Sequence, residues 1–438
     1  MTRANFARTS PENKSWLTCS TARSEQGIGM KRILVYSHDT FGLGNIRRML
    51  EISKHLAASD PDVSILIISG SPMLHAFRIP QRIDYIKLPC LTRTTRGGYE
   101  VKFLQSSYED IMRLRANIIL STVLDFAPDL ILVDKKPFGV GNELAPVVDL
   151  LRRRLQRPKM VLLLRDILDS PDSTAQVWEK NGYYEAIDRY YDQVLVVGSP
   201  EVFDLGREYR FPDETRAKIR YCGYIKRSRG LTPRQTTRTA HGITGKQLVL
   251  VTPGGGEDGF QLVSNYLLGL RDSLPNPAVR SIIVCGPEMR EDQRREIHAL
   301  ASACPSVSLL DFSDDMASLI DAADLVVCMG GYNTICELLT LKKRAVIVPR
   351  TQPVQEQWIR AERFARKGVF RALHPDQLTP ETLACAVREE LAKTNVHSRL
   401  LYQVDLSGLE KIQESIDHLL QDESAAEWPR QYQLESMS

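Results

Sequence analysis

The segment Pro253-Gly254-Gly255-Gly256-Glu257-Asp258-Gly259 joins an apolar run, Leu248–Thr252, to a helical pattern. Glycines there let the backbone approach a phosphate closely, and a helix N-terminus adds free N–H groups and a positive dipole end. The plain alternative is a tight strand-to-helix turn that holds nothing. Glu257 and Asp258 put negative charge where an anion would sit. A second glycine turn, Met329-Gly330-Gly331-Tyr332-Asn333-Thr334-Ile335-Cys336-Glu337, follows the run Leu325–Cys328. Asn333 or Thr334 is expected to cap the helix, which places Glu337 in its first turn. A carboxylate there either complements the helix dipole or accepts two hydrogen bonds from a vicinal diol such as a ribose. Two glycine-turned helix starts in one half of the chain point to a diphosphate ligand. Further on, a loop marked by Pro349 and Pro353 leads to Glu356-Gln357 at a helix start. That pair suits sugar hydroxyls, or is simply a solvated helix start.

The N-terminal half offers proton-transfer groups. Its first strand ends in Ser37-His38-Asp39-Thr40-Phe41-Gly42-Leu43-Gly44-Asn45-Ile46-Arg47-Arg48. His38 is a titratable group at a strand end, where a merely hydrogen-bonded histidine is the plain reading. Asp134-Lys135-Lys136-Pro137-Phe138-Gly139 follows one strand-like run and Arg165-Asp166 another. Lys135, Lys136 and Arg165 can attract an anionic acceptor, or are salt-bridged loop residues. Tyr183-Tyr184 and Tyr190-Tyr191 read as helix packing, and Arg152-Arg153-Arg154 as a solvated helix face.

These residues need strands and helices to position them. Ile33–Tyr36, Val63–Ile68, Leu130–Val133, Val161–Leu164 and Val194–Val197 are strand-like, with helical patterns such as Ile46–Leu56 and Tyr108–Phe126 between them. Strands that read as continuous apolar runs separated by helices indicate parallel sheets buried on both faces. The polar stretch 227–247 interrupts the pattern and reads as an interdomain linker. Alternation restarts with Leu248–Thr252, Ser281–Cys285, Val307–Leu310, Leu325–Cys328 and Ala345–Val348. The fold class is therefore α/β, with two doubly wound units. In such sheets ligands bind beyond the carboxyl ends of the strands, where all the motifs above lie.

Composition narrows the function classes. The 438 residues exceed one ordinary core and suggest two domains of roughly 150–200 residues each. A net charge of +3, from 57 basic and 54 acidic residues, is too balanced for a nucleic-acid binder. The 8 cysteines are scattered without a Cys-x-x-Cys pair, so no zinc or redox motif and no disulfide framework is expected, and a cytoplasmic setting fits. No apolar run approaches the roughly 18 residues that span a bilayer. The first 29 residues lack the apolar core of a signal peptide. The ordered protein is expected to begin near Met30, with 1–29 a disordered extension or a consequence of start-site choice. A chain begun at Met30 is then expected to melt at the same temperature and bind the same ligand, which a paired thermal melt checks.

Taken in order, Asp311-Phe312-Ser313-Asp314-Asp315-Met316, Ala323-Asp324-Leu325-Val326-Val327-Cys328, the glycine turn with Glu337, Pro349 and Glu356-Gln357 resemble the donor half of family 28 glycosyltransferases. The resemblance covers Leu248–Glu390 and is looser over Lys31–Lys226. It implies the GT-B plan: two Rossmann-like domains facing a cleft, with an acceptor-side domain over 30–226, a linker at 227–247, a donor-binding domain over 248–420 and a tail over 421–438. It also implies roles. The loop at Phe312-Ser313 and Met316 would contact the base of a nucleotide, probed through backbone groups. Glu337 would bind the ribose. Gly255, Gly256, Gly259, Gly330, Gly331 and Asn333 would face the diphosphate and sugar, and Glu356 and Gln357 would hold sugar hydroxyls. The Gly-Gly-Gly-Glu turn resembles that of diacylglycerol glycosyltransferases in the same family, which answers the objection from Glu257.

The implied activity is inverting transfer of a sugar from a nucleoside diphosphate, UDP foremost, to an acceptor hydroxyl. No organic cofactor and no metal is implied, and Asp314-Asp315 read as loop and cap residues. The acceptor is unidentified, with lipid-linked and anionic acceptors both open, and peripheral contact with the inner face of a membrane is compatible. Acceptor-side residues would be Gly42, Gly44, Lys135, Lys136, Arg165 and Asp166. One position departs from the family. Relatives carry a histidine, the proposed base, where this chain has Asn45. Asparagine is no base at neutral pH, so catalysis would fall to His38 or Asp39. A nucleotide-sugar hydrolase and a non-catalytic nucleotide-sugar binder are the alternatives.

Overall fold

The computed structural model describes residues 29–38, 44–94, 98–154, 157–273, 278–393 and 403–421. Its N-terminal strands are β1 (Lys31–Ser37), β2 (Val63–Ser69), β3 (Ile83–Lys87), β4 (Leu91–Arg93), β5 (Tyr99–Val101), β6 (Leu130–Asp134), β7 (Lys159–Arg165), β8 (Gln193–Val197) and β9 (Ile219–Tyr221). Seven of them form one sheet in the order β3-β2-β1-β6-β7-β8-β9, every pair parallel, while β4 and β5 make a separate antiparallel hairpin. All five residues of β6 are buried, because helices cover both faces, and this is why the strand reads as an unbroken apolar run.

The C-terminal strands are β10 (Gln247–Thr252), β11 (Val279–Val284), β12 (Val307–Leu310), β13 (Leu325–Cys328), β14 (Ala345–Ile347) and β15 (Arg371–Ala372). They form a second parallel sheet, β12-β11-β10-β13-β14-β15. Both sheets reverse direction of winding at their first strand: β1 lies between β2 and β6, and β10 between β11 and β13. Such a switch point leaves a crevice at the strands' carboxyl ends, since the flanking helices fall on opposite faces. The loops after β1, β6, β10 and β13 therefore border the crevices. These are the loops that begin at His38, Lys135, Pro253 and Met329.

Two segments differ from their expected roles. The polar stretch 227–247 holds a helix, Arg234–Ala240, that packs on the C-terminal domain. Polar groups rather than apolar periodicity hold it there. Arg234 and Arg238 pair with Asp324 at 2.6 and 3.1 Å, Asp324 also accepts from the Leu248 N–H at 2.7 Å, and Ser318 Oγ donates to the Thr232 carbonyl at 3.1 Å. Burial alone would raise the Asp324 carboxyl, yet the Leu248 N–H and Arg238 hold it below its ordinary value. The last helix, Gly408–Gln421, falls within the sequence assigned to the C-terminal domain but returns to the N-terminal one. His55 meets Gln413 at 3.0 Å, the Tyr224 N–H donates to the Asp405 carbonyl at 2.8 Å, and Ile412 and Ile416 enter the core cluster that holds Ile46 and Met49. That cluster runs through both domains, so the two units share apolar contact as well as a cleft.

Candidate functional site

On the C-terminal side, the glycine turn after β10 requires its glycines. Gly256 has φ 98°, and a Cβ there would lie 2.4 Å from the Cys285 carbonyl oxygen. The turn feeds helix Phe260–Ser273, and Gly259 packs directly beneath Pro253. Asp258 is neutralised by Arg350 at 2.8 Å. Glu257 is pushed above its usual value by burial, then by Asp258 and Glu288, against the pull of Arg350.

After β13, Gly330 has φ 76°, and a Cβ there would lie 2.6 Å from Ile347. The following helix, Tyr332–Thr340, is capped by Gly331, not by Asn333 or Thr334. Its start is two residues earlier than Asn333-based capping requires, so Glu337 falls in the second turn, not the first, and does not answer the dipole end. Gly331 itself faces open space. Glu337 is 7% exposed. Burial raises its carboxyl above the ordinary value, against the pull of Arg47 and Arg227. Asp315 caps helix Met316–Ala322 through Ser318 N–H at 3.1 Å and accepts from the Leu231 N–H at 3.0 Å, which is cap chemistry. Phe312 is exposed at the rim, Ser313 Oγ accepts from the Asp315 N–H at 3.3 Å, and Met316 is half-buried.

Glu356 and Gln357 open helix Glu356–Arg366 and are both buried. Gln357 Oε1 accepts from the Arg350 N–H at 3.2 Å. Burial alone would raise the Glu356 carboxyl, but Arg165 and Arg360 hold it below its usual value.

The N-terminal side reaches into this site through arginines. Arg47 approaches Glu337 at 3.6 Å, and Arg165 pairs with Glu356 at 2.8 Å. Arg165 is thus a salt-bridged residue in this state. Asp166 receives two parallel bonds from Arg360, each 2.8 Å, with Arg360 0% and Asp166 1% exposed. Arg360 also donates to the Gly330 carbonyl at 3.2 Å and lies 5.8 Å from the Tyr332 ring. Asn333 donates to the Gly44 carbonyl at 3.3 Å and accepts from Arg227. Asn333, Glu337 and Glu356, among the expected donor-site side chains, thus meet N-terminal residues across the cleft.

In the first N-terminal loop, Asp39 and Gly42 lie outside the described residues. Asn45 is committed at both ends: its Nδ2 donates to the His38 carbonyl at 2.8 Å and its Oδ1 accepts from Arg48 at 3.4 Å. Arg48 in turn pairs with Asp134 at 2.7 Å, both essentially unexposed, and Asp134 accepts from the His38 N–H at 3.4 Å. The His38 side chain is 2% exposed. Lys135 turns the chain after β6 with φ 74°, and the Lys136 ammonium sits 5.9 Å from the Tyr99 ring. Tyr183 and Tyr184 pack with Trp178, as expected of helix packing. Among the described residues no cluster of three His, Cys, Asp or Glu side chains could hold a metal ion, and no helix is long and apolar enough to cross a membrane.

Sequence reasoning missed Arg47, Arg48, Asp134, Arg227 and Arg360. A usable signal existed for Arg360 alone, which stands four residues after Glu356 on one helix face and lies 3.9 Å from it.

Two doubly wound domains meeting across a cleft, with glycine turns at the switch point of the second, give the chain the GT-B fold. Residues 248–416 match the glycosyltransferase family 28 C-terminal domain. Over 386 residues the chain is 24% identical to the UDP-N-acetylglucosamine–N-acetylmuramyl-(pentapeptide) pyrophosphoryl-undecaprenol N-acetylglucosamine transferase of Acetivibrio thermocellus, covering 86% of this chain and 95% of that one. The crystal structure of Acinetobacter baumannii MurG superposes with a TM-score of 0.59 at 16% identity, over 89% of this chain and 99% of that one. Medicago truncatula UGT71G1, solved with UDP-glucose, gives 0.61 at 13% identity over 89% and 98%.

Proposed function

We propose that the protein transfers a sugar, with inversion, from a UDP-linked donor to an acceptor hydroxyl. The observation that supports this reading is that Gly254–Gly256, Gly330-Gly331 and Glu356 follow β10, β13 and β14 at the carboxyl edge of the C-terminal sheet, with Arg47 of the N-terminal domain 3.6 Å from Glu337 and Asn333 bonded to the Gly44 carbonyl at 3.3 Å. The diphosphate would sit against the N-termini of helices Phe260–Ser273 and Tyr332–Thr340, where fixed N–H groups stabilise the charge that develops on the leaving UDP. Glu337 would accept from the ribose hydroxyls and Glu356 with Gln357 from the sugar. The base belongs to the first N-terminal loop, in His38 or Asp39, and takes the acceptor proton as the hydroxyl oxygen attacks the anomeric carbon. The C–O bond to UDP breaks on the opposite face. An acceptor with a lipid-linked phosphate fits the name of the relative from Acetivibrio thermocellus, which carries pyrophosphoryl-undecaprenol.

The test is calorimetric titration with UDP. Glu337→Gln is expected to weaken binding by about 1.5–3 kcal/mol, the worth of a hydrogen bond to a charged group, with the fold retained. A pH series sharpens it. Ribose hydroxyls donate more strongly to the carboxylate, which offers both oxygens and a charge, than to the protonated carboxyl, and burial raises the Glu337 carboxyl above its ordinary value. Wild-type affinity is therefore expected to fall on acidification before ordinary carboxylates titrate, and Glu337→Gln to abolish that fall. Unchanged UDP affinity in a folded Glu337→Gln protein removes Glu337 from the site.

A further inference from the structure

Helix Gly44–Ser59 of the N-terminal domain and helix Tyr332–Thr340 of the C-terminal domain touch at their first turns. Asn333 of the second donates to the carbonyl of Gly44, the first residue of the other, at 3.3 Å. Helix starts carry the positive ends of their dipoles, and an acidic residue in the first turn stabilises them. Neither helix has one. Two arginines add to the positive charge. Arg227 is 9% exposed, donates to Asn333 and, among the described residues, meets no carboxylate in an ion pair. Arg47 approaches Glu337 at 3.6 Å.

The Arg47 contact is a loose one. At 3.6 Å it is longer than a hydrogen bond, and Arg47 makes no hydrogen bond to another described residue. Arg47 is exposed while Glu337 is buried, and the Glu337 carboxyl stays above its ordinary value in spite of the arginine. A committed pair behaves otherwise: Arg165 and Arg360 hold Glu356 below its ordinary value. From Glu337 back to Asn333 is four residues, about 6 Å along the helix. The Arg47 guanidinium therefore lies about one turn from the helix start. Gly331, which caps that start, faces open space.

We propose that Arg47 is a diphosphate-binding residue of the donor site. Its guanidinium leaves Glu337 when ribose hydroxyls take that carboxylate, and it makes a two-point contact with the diphosphate at the start of helix Tyr332–Thr340. The inference rests on the UDP-sugar reading above and adds to it a charge from the opposing domain. Guanidinium forks match phosphate oxygens in two-point geometry. The donor site is then complete only with both domains in place. The charge that UDP gains as its bond to the sugar breaks meets Arg47 as well as the fixed N–H groups.

The test separates phosphate from ribose. Calorimetry on the full chain compares wild type with Arg47→Gln for UDP and, by displacement of UDP, for uridine, which carries base and ribose without phosphate. Arg47 is exposed, so the variant is expected to melt with wild type. Its UDP affinity is expected to fall roughly 10–100-fold, as for a lost charge-assisted hydrogen bond, and its uridine affinity to hold. Arg47→Lys, which keeps the charge without the fork, is expected to recover part of the loss. If Arg47→Gln melts early, Arg47→Met, which keeps most of the apolar stem, gives the same reading. UDP affinity within about twofold of wild type overturns the inference. So does an equal fall for UDP and uridine, which would mean that Arg47 acts through Glu337 alone. Glu337→Gln is expected to give that second pattern, so failure of the ribose assignment and failure of the Arg47 assignment are told apart. A wild type that binds neither ligand overturns the UDP reading and the inference with it.

Discussion

Asp166→Ala is expected to lower stability by about 3–5 kcal/mol, the cost of leaving a buried charge without its partner. Arg360 is 0% exposed and sends two of its N–H groups to Asp166. What remains after the substitution is the Gly330 carbonyl at 3.2 Å and Glu356 at 3.9 Å, neither of which replaces a two-point ion pair. The Tyr224 hydroxyl also loses its acceptor, Asp166 Oδ2 at 3.3 Å. Burial of both charges is costly in itself, so removing both should cost far less than removing one. Asp166→Ala/Arg360→Met is expected to recover much of the loss. Urea unfolding of the single and double variants measures it. A single substitution costing under about 1 kcal/mol would mean that water reaches the pair, since exposed ion pairs are worth that little.

The second large effect concerns the base. His38→Ala is expected to lower UDP release by about 10²–10⁴-fold, the usual worth of general-base catalysis, while UDP affinity holds. Asn45→His is expected to change little. Its amide is committed to the His38 carbonyl and to Arg48, and Arg48 is fixed by Asp134, so the side chain at position 45 is held by its own domain. The 2% exposure of His38 limits its reach to substrate, which makes the alanine variant decisive. A silent His38→Ala passes the role to Asp39. A gain in Asn45→His with His38→Ala silent would place the base at position 45, as in the family pattern.

Much of this architecture is legible in the sequence for a physical reason. Central strands such as β6 and β10 are buried on both faces and read as unbroken apolar runs. Edge strands are not. β3 carries Asp84 and Lys87 in exposed positions, and β15 has two half-buried residues, so neither shows an apolar run. Helix Arg234–Ala240 was hidden because arginine–aspartate pairs and carbonyl contacts hold it, and these leave no periodicity. The glycine turns were visible because only glycine suits their backbone, as at Gly256 and Gly330. The pairings across the cleft were not, since Arg360 and Asp166 stand 194 positions apart and nothing local ties one to the other.

The central claim is a nucleotide-sugar site at the carboxyl edge of the C-terminal sheet. It is tested most directly by a thermal melt of the full chain against a panel of nucleoside mono- and diphosphates and their sugar conjugates. A ligand that binds only the folded state stabilises it by about 2.7 kcal/mol at a hundredfold excess over its dissociation constant. UDP and one UDP-sugar are expected to shift the melt saturably, with Glu337→Gln reducing both shifts. A panel in which no nucleoside diphosphate or sugar conjugate moves the wild-type melt would contradict the account.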